Sequence, residues 1–308
     1  MSTPELLLVV VDASPAAWSP LDACASEPYA SRRQTFPEFV ATLQTFLGAF
    51  LALHRRNRVV AIAFNGERGG FIVLPPRSAP VAGVVETTRV ADVSRDIAGG
   101  LWALRYGAAG AAVQEMVDEA AGSAEQLRFS ERTPSLTACL ALGMCYALKS
   151  LGEGIGGAGD SGAGGGARFV IFQAGADAPA HYVSFNNCVS AAAARKILID
   201  SCVMGSAQSV FLQQAAQATS AQHLHPHESA HAGLLEELIV RLLNDAATRG
   251  QLLLPPAHSV SHLAHCFCHQ RATALGWLCI SCLSVWCTDG PCATCGGNVK
   301  PQSGSSAS

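Results

Sequence analysis

The stretch Leu6–Pro15, LLLVVVDASP, sets the fold class of this chain. Its six leading apolar residues end at Asp12, are too few to cross a membrane, and follow no basic leader of a secretory signal. A short apolar run of this kind is typical of a strand that is buried on both faces of a parallel sheet. The polar residues after it are then expected at the carboxyl edge of the sheet, where α/β proteins place their sites.

The rest of residues 1–256 alternates apolar strands with amphipathic helices. Strands are predicted at 58–64, 71–74, 168–173 and 197–204, the first two as a glycine-linked hairpin. Helices are predicted at 36–51, 136–151, 180–195, 210–218 and 234–243, with a weaker pattern at 109–121. Three prolines predict a loop over 15–28. This alternation predicts a doubly wound, mostly parallel α/β sheet flanked by helices, ending near the prolines of Leu252–Pro256.

Two polar segments interrupt the pattern. Residues 152–166, GEGIGGAGDSGAGGG, are poor in apolar side chains, so we expect a flexible surface loop. A phosphate-binding loop needs a strand, glycines and then a helix, whereas the predicted order here is helix, glycines, strand. Residues 223–231, HLHPHESAH, hold four histidines but one acidic residue and no thiol. We expect an exposed loop there rather than a metal site.

The residues after the first strand partly match the magnesium site of von Willebrand A-type domains. Such a site requires the motif Asp-x-Ser-x-Ser, a threonine before a later helix and an aspartate after the fourth strand, because Mg²⁺ prefers oxygen ligands. Asp12, Ser14 and Thr133 fit, but Ala16 replaces the second serine and Asp177 follows its strand several residues too late. The sequence therefore argues against bound Mg²⁺ and predicts a structural role for Asp12.

Nothing in residues 1–256 argues for an enzyme. The chain has no Gly-x-Ser-x-Gly elbow, no Walker motif and no dinucleotide-binding glycine fingerprint between a strand and a helix. Cys139 and Cys202 sit inside apolar runs, where a buried and unreactive thiol is expected. We therefore expect neither a catalytic site nor a small-molecule substrate.

Most cysteines lie close together near the end of the sequence. Seven of the twelve fall between Cys266 and Cys295, six of them in pairs with one or two residues between the thiols. A thiolate pair at that spacing can point both sulfurs at one zinc ion about 2.3 Å away. Disulfides are not expected, because the other cysteines are isolated and no secretory signal is recognised.

The spacing predicts two ligand sets in a Cys-rich module at 257–300, followed by a disordered tail at 301–308. Two C-x-x-C pairs bracket a short turn and predict a first zinc ion held by Cys279, Cys282, Cys292 and Cys295. A second ion would be held by three further thiols, Cys266, Cys268 and Cys287. Its fourth ligand would be His265 or His269. The spacing leaves open whether one ion binds or two.

The charge balance argues against direct DNA contact and the apolar runs against a membrane span. The formal net charge is −3, and Arg271 and Lys300 are the permanent cations between residues 265 and 300, against Asp289. Phosphate contact needs clustered Lys and Arg. No run reaches the roughly 18 uninterrupted apolar residues of a membrane helix. A soluble intracellular protein is therefore expected.

Four stretches together resemble one family, the von Willebrand A-like thirty-four-kilodalton subunit of the general transcription and DNA-repair factor TFIIH. They are LLLVVVDASP (6–15), ILIDSCVM (197–204), QLLLPP (251–256) and the cysteine run 266–295. The resemblance implies a nuclear, non-catalytic subunit of the TFIIH core, acting in RNA polymerase II initiation and nucleotide excision repair. It further implies binding and stabilisation of the larger, forty-four-kilodalton von Willebrand A-type subunit.

The sequence departs from the family at 152–166, at 223–231 and in the short tail KPQSGSSAS, where relatives can carry lysines. The tail change puts in doubt any tail-based nuclear import or nucleic-acid contact. The cysteine run leaves two other functions open. One is a RING-like ubiquitin ligase, which needs eight zinc ligands, and the other is a zinc-ribbon nucleic-acid-binding protein.

Overall fold

The structure is a computed structural model that describes most of the chain. It forms one large sheet flanked by helices, and a smaller group of short strands that holds the clustered cysteines. The described residues are 5–23, 34–74, 85–86, 92–93, 95–106, 135–152, 166–178, 181–205, 208–226, 233–252, 264–266, 269, 272–280, 284–292 and 296–300.

Seven strands make the large sheet: β1 (Glu5–Asp12), β2 (Arg58–Phe64), β3 (Gly69–Leu74), β4 (Val85–Glu86), β5 (Gly166–Gln173), β6 (Leu198–Val203) and β7 (His223–Leu224). They run in the order β4-β3-β2-β1-β5-β6-β7, which places β1 at the centre. All neighbours are parallel except β2 and β3, which form the predicted antiparallel hairpin.

Helices cover both faces of this sheet. They are α1 (Pro15–Ala23), α2 (Phe36–Leu53), α3 (95–106), α4 (Leu136–Gly152), α5 (Tyr182–Ala194), α6 (Val210–Ala218), α7 (Leu234–Glu237), a π-helix (Leu238–Leu242) and α8 (Ala246–Arg249). Because side chains alternate along a strand, Leu7 and Val9 of β1 pack with α1, α2, α3 and α7, while Leu8 and Val10 pack with α4, α5 and α6. The predicted doubly wound α/β sheet is confirmed.

Local sequence explains where α2 begins and why it stays in the core. Thr35 and Glu38 form a capping box, in which Glu38 accepts the Thr35 N–H at 2.9 Å. By length and composition α2 is apolar enough to cross a membrane, which the sequence analysis did not expect of any segment. Its apolar side, including Phe39 and Phe46, is instead buried against the sheet. α2 is thus a core helix of a folded domain.

The loop predicted over 15–28 is wrong for its first half, which forms α1. Pro15 takes the first helical position, where no backbone N–H is needed, so it starts the helix rather than preventing it. Trp18 then packs in the core and donates its indole N–H to the Asp12 carbonyl at 2.6 Å. The sequence analysis also missed β4, α3, β7 and α8. The weak helix at 109–121 and residues 153–165 of the glycine-rich segment lie outside the described residues.

A buried ion network ties the amino edge of the sheet to α8. Arg249 donates both terminal nitrogens to the Asp200 carboxylate, at 2.7 and 2.6 Å. Arg168 donates to Asp200 at 3.2 Å and to Glu5 at 2.9 Å, and its remaining donors reach the carbonyls of Leu242 and Leu243. Burial raises the pKa of Glu5, with Arg168 acting in the opposite direction. The sequence analysis did not anticipate this network.

The cysteine-rich part of the chain is built from short antiparallel strands. A two-stranded ribbon pairs β8 (Ala264–His265) with β9 (Ala272–Thr273). A four-stranded sheet contains β10 (Trp277–Cys279), β11 (Val285–Trp286), β12 (Gly290–Pro291) and β13 (Asn298–Lys300), in the order β11-β10-β13-β12. Strands of two or three residues bury little apolar surface, so this part has little core of its own.

Candidate metal centre

The structure describes two of the four predicted ligands of the first zinc ion. Cys279 ends β10 and Cys292 follows β12, and both thiols are buried against the partly exposed rings of Trp277 and Trp286. Cys282 and Cys295 lie outside the described residues. The ligand set Cys279, Cys282, Cys292 and Cys295 therefore stays a prediction, with two of its members placed in one buried cluster.

The backbone around Cys292 has the turn that a C-x-x-C pair needs. The Gly296 N–H donates to the Cys292 carbonyl at 2.7 Å, and the Cys292 N–H donates to the Gly297 carbonyl at 2.6 Å. Gly296 adopts φ +72°, a conformation that residues with a side chain rarely take. The turn folds the chain back directly after Cys295, which suits two thiols converging on one ion.

A second cluster brings together Cys266, His269 and Cys287. One ligand atom of each lies within 4.8 Å of the others, and His269 Nδ1 is 3.2 Å from Cys287 Sγ. Atoms bound to one tetrahedral zinc at about 2.3 Å lie roughly 3.8 Å apart, so these distances fit a shared ion. Two thiols and an imidazole form a donor set that zinc prefers.

The second cluster contains three of the residues that the sequence analysis offered for the second zinc. It includes His269, one of the two histidines left open as the fourth ligand. The side chain of His265 and all of Cys268 lie outside the described residues, so the full ligand set stays a prediction. Cys266 follows β8 and Cys287 follows β11, so a shared ion would join the ribbon to the four-stranded sheet.

The Asp12 carboxylate at the carboxyl edge of the large sheet accepts three backbone N–H groups. Its Oδ1 accepts the Ser14 N–H at 3.0 Å, and its Oδ2 accepts those of Ala174 and Gly175 at 3.2 and 2.8 Å. These contacts join the end of β1 to the end of β5 and give Asp12 a structural role. Thr133 lies outside the described residues, and the described ones do not fit a hydrated magnesium ion, because Ala16 offers no oxygen.

Asp177, the other acidic candidate at this edge, caps α6. Its Oδ1 accepts the Ser209 hydroxyl at 2.5 Å, and its Oδ2 accepts the Phe211 N–H at 3.2 Å. An aspartate that satisfies the first N–H groups of a helix has a structural reason for its position. Asp177 therefore has a structural role at the start of α6, which accounts for its position several residues after the end of β5.

The isolated thiols and the histidine segment complete the predicted candidates. Burial raises the pKa of Cys139 to about 12 and also raises that of Cys202, so both are unreactive thiols, as predicted. The exposed loop expected over 223–231 is wrong at its start. His223 lies in β7, 2.8 Å from the Ser201 hydroxyl, and His225 is buried 3.0 Å from the Gly205 carbonyl. Leu224 and His225 are both buried, so this segment begins inside the fold.

The fold and the Cys/His cluster define a class: a doubly wound, mostly parallel α/β protein with a cysteine-rich module near its C-terminus. Residues 4–296 match the family described as transcription factor Tfb4. The chain belongs to the Tfb4 family, which confirms the resemblance found in its motifs.

Relatives that match over most of their length agree with this assignment, and a solved structure shares the fold. The chain is 28% identical over 309 residues to the Arabidopsis thaliana "General transcription and DNA repair factor IIH subunit TFB4", covering 98% of this chain and 92% of the relative. It is 27% identical to the Schizosaccharomyces pombe subunit of the same name, covering 95% and 88%. Its fold is similar to the crystal structure of the TFIIH p34 N-terminal domain, with TM-score 0.51 and 18% identity, covering 78% of this chain and 96% of that one.

Proposed function

We propose that this chain is a non-catalytic subunit of the TFIIH core, acting in the nucleus in RNA polymerase II initiation and nucleotide excision repair. Family membership over residues 4–296 is the observation that carries the proposal. The named relatives from Arabidopsis and fission yeast are themselves subunits of factor IIH. The structure adds that Asp12, the candidate magnesium ligand, accepts backbone N–H groups, and that Cys139 and Cys202 are buried.

The proposed partner is the larger, forty-four-kilodalton von Willebrand A-type subunit, together with other TFIIH core subunits. The proposal comes from the family resemblance, and one feature of the cysteine module supports a protein-binding role. Leu275 and Ile280 are 88% and 68% exposed on either side of the half-buried Trp277. Exposed apolar side chains on a small rigid module suit contact with another protein.

Two zinc ions would give the cysteine module its rigidity. The first would be held by Cys279, Cys282, Cys292 and Cys295. The second would be held by Cys266, Cys268, His269 and Cys287. Structural zinc contributes about 10–16 kcal/mol of apparent folding free energy to small modules of this kind.

The order of the ligands along the chain makes the two proposed sites interdependent. The second site takes its ligands from before Cys279 and again from Cys287, which lies between the two pairs of the first site. Each ion therefore closes a loop that contains ligands of the other. We propose that the module, over 257–300, folds as one unit beside a von Willebrand A-like domain at 1–256, with a disordered tail at 301–308.

Co-expression with the forty-four-kilodalton subunit tests the function directly. Purified complex should elute in size-exclusion chromatography as one species with equal amounts of both chains. Tandem purification of the tagged chain from cell extract should also recover the other TFIIH core subunits, identified by mass spectrometry. Recovery of the folded, zinc-loaded chain without these subunits would exclude the proposed role.

A further inference from the structure

Arg168, Arg249 and Arg105 are buried arginines at the edges of the large sheet, and the first two use every side-chain nitrogen in hydrogen bonds. Arg168 and Arg249 use all of their side-chain nitrogens in the network around Asp200 at the amino edge. Arg105 lies at the other edge, near the end of α3, where the neighbouring Leu104 carbonyl accepts from Asn65, the residue after β2. Arg105 differs from the other two in its hydrogen bonds.

Among the described residues, Arg105 makes one side-chain hydrogen bond. Its Nη2 donates to Asp22 Oδ2. The other oxygen of Asp22 accepts the Phe36 N–H at 2.8 Å. Arg105 Nε and Nη1 are buried and find no hydrogen-bond partner in the part of the chain that the structure describes. Each of the two edges of the guanidinium that can bind a carboxylate therefore has one unused donor.

Aromatic rings surround this guanidinium, and one of them is at the surface. The Arg105 Cζ atom is 4.4 Å from the centroid of the Phe36 ring and 5.3 Å from that of Tyr106. Tyr106 stacks on Trp102 with centroids 5.1 Å apart and is 43% exposed. The Tyr106 ring is thus the part of this enclosure that reaches the surface.

The charges favour a single carboxylate as that ligand. Arg105 and Asp22 already form a neutral pair, and the Asp22 side chain is 30% exposed beside the guanidinium. A phosphate dianion would be repelled by the Asp22 carboxylate, and one arginine, Arg105, would have to balance the charges of both. A carboxylate brings one negative charge and an acceptor oxygen for an unused N–H of the guanidinium.

We propose that Arg105, framed by Trp102 and Tyr106, is the docking point for an Asp or Glu side chain of the forty-four-kilodalton subunit. This proposal rests on the proposed function, since it names a contact made within that complex. Binding displaces the exposed Tyr106 ring, the carboxylate accepts from one unused donor of Arg105, and the two aromatic rings contact the backbone or apolar stem beside it. Desolvated pairs of this type rank among the larger contributions to protein interfaces.

The test compares Arg105→Gln with Arg95→Gln, a matched change at an exposed position of the same helix, where Arg95 pairs with Asp92. Affinity for the forty-four-kilodalton subunit is measured by isothermal titration calorimetry with both full-length proteins. Arg105→Gln should weaken binding by about thirtyfold or more, and Arg95→Gln by less than about threefold. Arg105→Lys should lie between them, because it keeps the charge and loses the planar edge.

Hydrogen exchange of the Arg105 Nε–H in the wild-type protein gives a readout that needs no variant. Its exchange should slow when the partner is added. Equal affinity of wild type and Arg105→Gln, or unchanged exchange in the complex, overturns the docking point while leaving the proposed function intact. Failure of the wild-type chain to bind the subunit overturns the proposed function itself. If Arg105→Gln lowers the melting temperature and leaves the affinity unchanged, Arg105 stabilises this chain and does not contact the partner. That outcome also overturns the proposal.

Discussion

The α/β sheet and the cysteine module reach a stable structure by different means. Every residue of β1 is buried, and the sheet separates two continuous cores built from apolar side chains of strands and helices. The described buried cluster of the module consists of Cys279 and Cys292 with two partly exposed tryptophans. Hydrophobic burial can stabilise the α/β sheet. The cysteine module buries too little apolar surface for this and needs further bonds to stay folded. Mutations should therefore act on the two regions independently and by different mechanisms.

The largest expected effect is loss of the first zinc site. Cys279→Ser should unfold the module, because it removes a ligand from an ion whose binding contributes about 10–16 kcal/mol. Zinc content by plasma mass spectrometry should fall, and NMR signals of residues 264–300 should collapse while those of the sheet persist. Cys145→Ser, an exposed thiol on α4, is the control and should change neither. Full zinc content in Cys279→Ser would contradict the ligand assignment.

The next effect separates one ion from two. His269→Ala should lower the zinc content from two ions to one per chain and weaken the attachment of the β8-β9 ribbon, since His269 lies in the cluster with Cys266 and Cys287. The measurement is zinc stoichiometry before and after gel filtration. His258→Ala, a histidine of the same predicted module outside either ligand set, serves as the comparison. Unchanged stoichiometry would assign the cluster to hydrogen bonding rather than to metal.

A break in the buried ion network should act on the sheet region alone. Asp200→Ala leaves Arg168 and Arg249 without their shared carboxylate, and removing one partner of a buried pair costs about 3–5 kcal/mol. Urea unfolding followed by circular dichroism should show this loss with no change in zinc content. Asp92→Ala breaks the exposed pair with Arg95 and should cost less than about 1 kcal/mol. Similar costs for the two changes would show that the network is not a main support of the fold.

The smallest expected effect on stability is at the surface of the module. Leu275→Ser replaces a side chain that is 88% exposed, so the folded state should change by less than about 0.5 kcal/mol. If the module contacts the proposed partner, the same change should weaken that binding by about 1 kcal/mol or more in titration calorimetry. An unchanged affinity would place the partner on another surface and leave the exposed leucine unexplained.

Much of the fold could be predicted because its signals are local in sequence. Apolar runs and three-and-four spacing located β1, β2, β5, β6 and most long helices to within a few residues. The errors at Pro15 and at His223 have local causes too: a proline in the first turn of a helix, and a two-residue edge strand that is too short to show an alternation. Segments outside the described residues leave the predictions at 109–121 and 153–165 untested.

In the candidate metal site, too, the local features could be predicted from the sequence and the contacts between distant residues could not. Spacing alone led to the prediction that the cysteines are zinc ligands in two sets, because a pair of thiols on one tight turn is a local property. Which histidine joins the second set was left open, since Cys266 and Cys287 lie 21 positions apart and their meeting depends on how β8 packs beside β11.

By itself, the sequence determined the α/β class, the family and the set of thiols available to a metal. These depend on periodicity and motifs that neighbouring residues carry. The tertiary structure decided that Asp12 accepts the backbone N–H groups of Ala174 and Gly175, and that Arg168 donates to Asp200. It also left Arg105 with unused donors beside Asp22, a residue 83 positions earlier. Hydrogen bonds between distant residues depend on the packed arrangement of whole elements, which no local pattern encodes.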